Sequence, residues 1–116
     1  MYINQCIQYK MSPEIVLFYS PNAFGTVDAI AYRYRRLRIS DLKTGVSRTS
    51  EHQLEVYAAL FCLEYELDPF GMDIELRIYQ DASVRQYIGD PYFIKGIMDK
   101  IVAFDQILNR LREEVS

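Results

Sequence analysis

Two apolar runs, residues 24–32 and 37–42, most constrain how this chain can fold, because each reads as a strand and each carries one carboxylate. Both runs are rich in residues that strands favour, yet Asp28 lies inside the first and Asp41 inside the second. A charge inside an apolar run contradicts the pattern of a buried strand, and such exceptions are expected mainly at functional or strained sites. Asp28 and Asp41 are therefore candidate functional residues.

The segment between the runs predicts that the two aspartates face each other. It reads YRYRRLR and is short enough to connect an antiparallel hairpin, and a tip centred on Tyr34 and Arg35 pairs Asp28 with Asp41. Tyrosine and arginine are unfavourable in a two-residue primed turn, so we expect a four-residue loop in the same register. A slip of one residue would place the acids on opposite faces.

Opposed carboxylates destabilise a strand pair, so this register requires a positive charge between them. Lys43 is one candidate, because it lies two residues beyond Asp41 and on the same face of the strand. A divalent cation bound by both acids is the other. A structural ion pair between Asp41 and Lys43, with Asp28 as a turn anchor, is the alternative without function.

Composition bounds the class of protein. With 116 residues, of which 50% are hydrophobic, residues 1–116 are expected to form one domain with a packed core. The chain has no apolar run of about 20 residues and no signal pattern, so a cytosolic protein outside the membrane is expected. Cys6 and Cys62 are far apart and are interpreted as buried thiols. The net charge of −3 argues mildly against a protein that wraps nucleic acid electrostatically.

The rest of the chain alternates between strand and helix patterns. A near-continuous apolar run such as residues 14–20 is typical of a strand buried on both faces. Ser50 and Gln53 form a capping box before a helix, and a strand-helix-strand succession predicts a parallel crossover. In chain order we predict a helix over residues 2–9, strands over residues 14–20, 24–32 and 37–42, a helix from Glu51 to about Leu67, a strand over residues 73–80, a short edge strand over residues 84–88, and a long helix that follows Asp90 as its N-cap and starts at Pro91.

This order of elements, with acids on the second and third strands, resembles the PD-(D/E)XK nuclease superfamily. The similarity is greatest to the RecB-like exonuclease branch, including its compact phage-encoded and CRISPR-associated members, and covers roughly residues 14–80. The resemblance implies an α/β fold with a restriction-endonuclease-like core, a mixed four- to five-stranded sheet flanked by helices, and a single nuclease domain. The family pattern G-x-x-D, (D/E)-x-K and Q-x-x-x-Y is met by Gly25 and Asp28, by Asp41, Leu42 and Lys43, and by Gln53 and Tyr57.

The resemblance also implies roles for these residues. Asp28 and Asp41 would bind Mg²⁺ or Mn²⁺, with the backbone carbonyl of Leu42 as a further ligand. Lys43 would hold the attacking water or stabilise charge on the phosphate. Family members often have another acid before the first strand, whereas the first acid of this chain is Glu14, so that role is either absent or taken by Glu14. Gln53 and Tyr57 would position the substrate.

The resemblance also implies partners and leaves an alternative open. DNA is the implied substrate, and a homo-oligomer or a larger nuclease and helicase assembly is a plausible setting, in the cytoplasm or in a host cytoplasm if phage-encoded. Two cysteines cannot hold the four-cysteine iron–sulfur cluster of some relatives. The competing hypothesis is a catalytically silent subunit that binds nucleic acid or protein. Candidate DNA contacts are His52 and the arginines Arg33, Arg35, Arg36 and Arg38, which with Tyr32 and Tyr34 form either a contact surface or a solvated hairpin tip.

Overall fold

The computed structural model describes residues 12–43, 51–80 and 83–115 of the chain. These ranges contain five strands and two α-helices, which correspond to the elements predicted for them, and one 3₁₀ turn that was not predicted. The helix predicted over residues 2–9, together with Cys6 and Ser50, lies outside the described residues. The elements are β1 (Ser12–Ser20), β2 (Ala23–Arg33), β3 (Arg36–Lys43), α1 (Glu51–Glu64), the 3₁₀ turn (Pro69–Gly71), β4 (Asp73–Gln80), β5 (Ser83–Ile88) and α2 (Pro91–Val115).

The five strands form one mixed sheet in the order β1-β2-β3-β4-β5. Three neighbouring pairs are antiparallel, and β3 and β4 are parallel, with α1 in the connection between them. A parallel pair needs such a crossover because its strands run in the same direction. The predicted α/β class, mixed sheet and parallel crossover are therefore confirmed.

One side of the sheet is covered by α1, whose apolar residues are buried over most of its circumference. Leu54, Ala58 and Cys62 have no exposed surface and pack against strand residues such as Leu17 and Ile39. Burial raises the pKa of the Cys62 thiol to about 11, with a further contribution from the Asp68 carboxylate. Cys62 is thus a buried free thiol, as predicted.

Strand β1 differs from its prediction in how it is buried. Leu17 is fully buried, but its neighbours Val16 and Phe18 are 57% and 46% exposed. The expectation of burial on both faces is wrong for this strand. β1 is an edge strand of the sheet, and among the described elements α1 contacts it with the Leu17 side. A continuous apolar run cannot by itself distinguish that arrangement from a central strand.

The β2–β3 hairpin has the predicted register and a different turn. Ile30 pairs with Ile39 and Arg33 with Arg36, so the tip is centred on Tyr34 and Arg35. The expected four-residue loop is wrong, because the connection is a two-residue turn with φ of 54° at Tyr34 and 60° at Arg35. Left-handed backbone costs roughly 1–2 kcal/mol per residue for amino acids with a Cβ atom.

Helix boundaries follow local caps. α1 ends at Glu64, three residues before its predicted end, and Glu66 then adopts a φ of 54° before the turn at Pro69. At α2 the predicted N-cap is present, since the Asp90 carboxylate accepts a hydrogen bond from the Tyr92 amide at 3.0 Å. In the described ranges, neither helix is both long and apolar enough to cross a bilayer.

The two halves of α2 have different surroundings. Ile94 and Met98 are buried against the core in the first half. In the second half Phe104 is largely exposed, and the Asp105 carboxylate accepts hydrogen bonds from Ser20 Oγ and Asn22 Nδ2 in the β1–β2 turn. These bonds lower the pKa of Asp105, the Ser20 bond more than the Asn22 bond. The Asp105 side chain therefore ties the second half of α2 to the sheet.

Candidate active site

The carboxylate of Asp28 joins β2 to β3 where their backbone pairing ends. The register of the two strands runs from Arg33 opposite Arg36 to Ala29 opposite Ser40. At the next position, Asp28 Oδ2 accepts a hydrogen bond of 2.8 Å from the amide of Leu42. That amide belongs to the peptide that follows Asp41, so the Asp28 carboxylate lies beside the backbone of the second acid.

The register between β1 and β2 places a third acidic residue, Glu14, on the strand next to Asp28. Pro13 lies opposite Ala29 and Ile15 opposite Val27 without a shift, which sets Glu14 opposite Asp28. Extending the β2–β3 register by one residue sets Asp28 opposite Asp41. Three neighbouring strands thus carry an acid at corresponding positions. The side chains of Glu14 and Lys43 lie outside the part of the chain whose side chains are described.

The face of β2 that contacts α1 changes from odd-numbered to even-numbered residues near Asp28. Gly25 is close to the ring of Tyr57 on α1, and Tyr32 contacts Phe61 of the same helix with ring centroids 5.4 Å apart. Residues of opposite parity point to opposite faces of a regular strand. Since Gly25 and Tyr32 have opposite parity and both contact α1, β2 departs from regular alternation between them. The Asp28 side chain supports the strand pairing at this irregularity.

The first and third pieces of the family pattern meet through Tyr57. Gln53 Nε2 donates a hydrogen bond of 2.7 Å to Tyr57 Oη, so these residues lie one helical turn apart on one face of α1, as predicted. The Tyr57 ring occupies the space beside Gly25, where a Cβ atom would approach Tyr57 Cε1 to 2.9 Å. Glycine at position 25 therefore makes room for the tyrosine.

His52 contacts one residue on its own helix and one on α2. Its Nδ1 atom lies 3.3 Å from Glu55 Oε1, and its ring centroid lies 5.6 Å from that of Phe93 on α2. The imidazole remains largely exposed. His52 therefore contributes to the contact between the two helices, and its role as a DNA contact stays a prediction. Glu55 at the i+3 position was the only local signal for this arrangement.

The four arginines of the hairpin are divided between two environments. Arg38 is buried, and its Nε and Nη2 atoms lie 2.8 and 2.6 Å from Glu75 Oε2 on β4. Because Arg38 is buried in this ion pair, it is not part of the exposed group of arginines at the hairpin tip. Arg33, Arg35 and Arg36 are exposed at the hairpin tip. At about 3.3 Å per residue, Arg35 is about 20 Å along β3 from Asp41, so the tip and the acids occupy opposite ends of the hairpin.

The donor set is small for a metal site made entirely of protein ligands. Among residues 12–43, 51–80 and 83–115, no three His, Cys, Asp or Glu side chains form a cluster that could hold a metal ion. Mg²⁺ usually keeps several water ligands and binds through one or two carboxylates together with substrate phosphates. Asp28 and Asp41 would supply this number of carboxylates.

Comparisons with known proteins do not assign a family. No protein-family model matches the chain, and no curated protein matches it. Among solved structures, the chain is similar to one described as "Crystal structure of SSO0001", with 13% sequence identity and a TM-score of 0.47. The similarity covers 89% of this chain and 55% of the other, so this chain spans about half the length of that protein. This similarity is too low to bear on the function of the chain.

Proposed function

We propose that this protein is a metal-dependent DNA nuclease, with exonucleolytic cleavage as the expected mode. The observation that carries the proposal is the hydrogen bond from the Leu42 amide to Asp28, which holds one acid of the pattern beside the backbone of the other. Two carboxylates in one cross-strand row would repel unless a cation neutralises them. An Mg²⁺ or Mn²⁺ ion bound by Asp28 and Asp41 gives this arrangement a physical reason.

The chemistry required is the addition of water across a P–O bond of the DNA backbone. The water oxygen bonds to phosphorus, the P–O bond to the leaving oxygen breaks, and the leaving oxygen takes up a proton. A bound divalent cation supplies an acidified water and stabilises the charge on the leaving oxygen. Asp28 and Asp41 would hold the ion, with the Leu42 carbonyl and Glu14 as further candidate ligands. Lys43 would stabilise charge on the phosphate.

Substrate positioning is assigned to the exposed end of α1. Gln53 is exposed and already aligned with Tyr57 by their hydrogen bond. Tyr57 is held against Gly25, three residues before Asp28 on β2. A polar pair that is fixed by packing positions a bound strand more precisely than two mobile side chains would. We therefore propose that Gln53 and Tyr57 contact the nucleotide next to the cleaved bond.

The second candidate is a silent subunit that binds nucleic acid without cleaving it. The exposed arginines at the hairpin tip favour it, because they provide a contact for phosphates away from the acids. The two hypotheses differ in what Asp28, Asp41 and Lys43 do. In the silent subunit they have only structural roles, and no metal-dependent loss of DNA should be observed.

Cleavage of linear and closed circular DNA, single- and double-stranded, tests the proposal directly. Purified protein should degrade linear DNA with Mg²⁺ or Mn²⁺ and not with EDTA, whereas closed circles should survive. Lys43→Met keeps most of the side-chain stem and removes its charge, so the variant should fold but cleave about 10²- to 10³-fold more slowly. Arg110→Gln, which removes an exposed positive charge from α2, is the matched control and should cleave at the parent rate.

The other outcomes have definite meanings. Equal attack on circles and linear DNA would replace the exonuclease by an endonuclease. Cleavage in EDTA, or a folded Lys43→Met protein that cleaves at the parent rate, would contradict the proposed mechanism.

A further inference from the structure

The tip of the β2–β3 hairpin has a backbone conformation that its side chains disfavour. Both Tyr34 and Arg35 have positive φ, a conformation that suits Asn-Gly in this type of turn. The turn is held by a hydrogen bond of 2.8 Å from the Asp73 amide to the Arg35 carbonyl. Residues kept in unfavourable conformations often serve function. The presence of Tyr34 and Arg35 at the turn therefore suggests that their side chains have a function that Asn and Gly could not perform.

The side chains of the tip form a compact aromatic and basic surface. Tyr34 is 85% exposed. Arg33 lies against it, with Cζ 4.8 Å from the ring centroid and Nη2 donating to the phenol oxygen at 3.2 Å. The guanidinium thus fixes the ring and adds a positive charge beside it. The high exposure of Tyr34 leaves ring surface available for a second flat group.

Acidic neighbours reduce the charge of part of this cluster. Asp73 on β4 lies opposite Arg36 in the register of the parallel pair, and Glu75 is paired with Arg38. Arg38 therefore contributes little net positive charge to the tip. Arg33 and Arg35 provide the positive charge on either side of Tyr34.

We propose that this tip binds a single strand of nucleic acid, with one base stacked on Tyr34 and with Arg33 and Arg35 contacting phosphates. Stacking on aromatic rings combined with phosphate contacts from arginine is the physical basis of single-strand binding. An acidic peptide would use the arginines but would not require an exposed aromatic ring. The proposal concerns binding about 20 Å along β3 from Asp41, and it does not depend on whether the protein cleaves DNA.

The test uses a variant that should improve folding while it removes binding. Tyr34→Asn together with Arg35→Gly places the residues that this turn favours at both positions. We expect the melting temperature to rise by about 5 °C. Affinity for a fluorescent oligothymidylate, measured by anisotropy in EDTA so that no cleavage occurs, should fall at least tenfold, or about 1.4 kcal/mol. A more stable variant with the parent affinity would overturn the proposal.

The single variants separate stacking from charge. Tyr34→Asn should weaken binding without changing its dependence on salt, because no phosphate contact is lost. Arg35→Gly should reduce the slope of log affinity against log salt by about 0.7, the value for one phosphate contact on a single strand. If Tyr34→Asn has no effect on affinity, the stacking role is wrong. If Arg35→Gly leaves the slope unchanged, the phosphate contact is wrong.

Two controls test whether the effect is specific to the tip. Phe104→Asn removes an exposed aromatic ring from α2, and Arg110→Gln removes an exposed arginine from the same helix. Both variants should bind the oligonucleotide as the parent does. A loss as large as that of the tip variants would mean that binding follows total charge or total aromatic surface, and the assignment to the tip would fail.

Discussion

Asp28 has two physical roles that a single substitution can separate. Its carboxylate extends the pairing of β2 and β3 by accepting a hydrogen bond from the Leu42 amide. Its negative charge lies opposite Asp41 when the strand register is extended by one residue. A bond from a backbone amide to a carboxylate is stronger than one to a neutral acceptor. Asparagine retains an oxygen for the amide and removes the charge. Asp28→Asn is therefore the variant that tests charge while preserving the strand contact.

Gly25 shows why two distant pieces of the family pattern belong together. Gly25 on β2 packs against Tyr57 on α1. A Cβ atom at position 25 would lie 2.9 Å from a ring atom of this tyrosine. Without that contact, replacing glycine by alanine in a strand would slightly stabilise the protein through the unfolded chain. Packing explains the glycine, so its presence in the pattern requires no direct chemical role.

Close packing beside Gly25 predicts that Gly25→Ala destabilises the protein by about 1–3 kcal/mol, since the tyrosine ring must move to accept the methyl group. Urea unfolding provides the measurement. In a Tyr57→Ala background the same substitution should be neutral or stabilising. Gly96→Ala, at a position with open space around it, is the control and should stabilise helix α2. An equal cost of Gly25→Ala in both backgrounds would contradict this explanation of the glycine.

Among the secondary-structure elements, the hairpin shows what the sequence could and could not predict. Its register was predictable, because two apolar runs around a short connection fix which residues face each other. The turn was not, because Tyr34 and Arg35 are unfavourable locally and are held by the Asp73 amide, which is distant in sequence. The burial of Arg38 was not predictable for a similar reason, since its partner Glu75 lies beside it only because of the parallel crossover.

The other predicted elements follow the same distinction. Strand β4 alternates buried and partly exposed residues as its sequence indicates, and the cap of α2 is local. The burial of β1 depends on which of its faces another element covers, here the Leu17 side under α1, and no local pattern encodes that. Within the candidate site, the Gln53–Tyr57 contact follows from helical spacing, whereas the Asp28–Leu42 bond requires the register of two strands.

The contact between α2 and the β1–β2 turn gives a prediction about pH. Hydrogen bonds from Ser20 and then Asn22 lower the pKa of Asp105. A lowered pKa in the folded state means that this stabilisation is complete above the ordinary carboxyl pKa of 3.8 and is lost as the pH falls below it. The prediction concerns Asp105→Asn, which keeps an oxygen for both donors and removes the charge.

Asp105→Asn should therefore unfold at a lower urea concentration than the parent at pH 7, and the difference between the two midpoints should be smaller at pH 3. Asp99→Asn, on the exposed side of α2 beside Lys95, serves as the control for a simple change of net charge. A difference between parent and Asp105→Asn that is the same at both pH values would show that these hydrogen bonds do not depend on the charge.

In the molecule as a whole, two candidate surfaces lie at opposite ends of the β2–β3 hairpin. The acids lie at the end of the hairpin where β3 finishes, and the exposed arginines lie at its tip. A nucleic-acid strand that reached both would have to run along the hairpin. The predicted homo-oligomer or larger assembly stays a prediction, and the exposed Phe104, Ile107 and Leu111 of α2 are the apolar residues that it would first be expected to cover.

Calorimetric titration of Mn²⁺ into the parent protein and into Asp28→Asn, without DNA, decides whether the two acids form a metal site. We expect the parent to bind one ion. Asp28→Asn should keep its fold, because its oxygen still accepts the Leu42 amide, but should bind the ion at least about tenfold more weakly, or about 1.4 kcal/mol. Circular dichroism of both proteins provides the check on folding. A parent that binds no Mn²⁺, or a folded Asp28→Asn protein with the parent affinity, would contradict the proposed metal site.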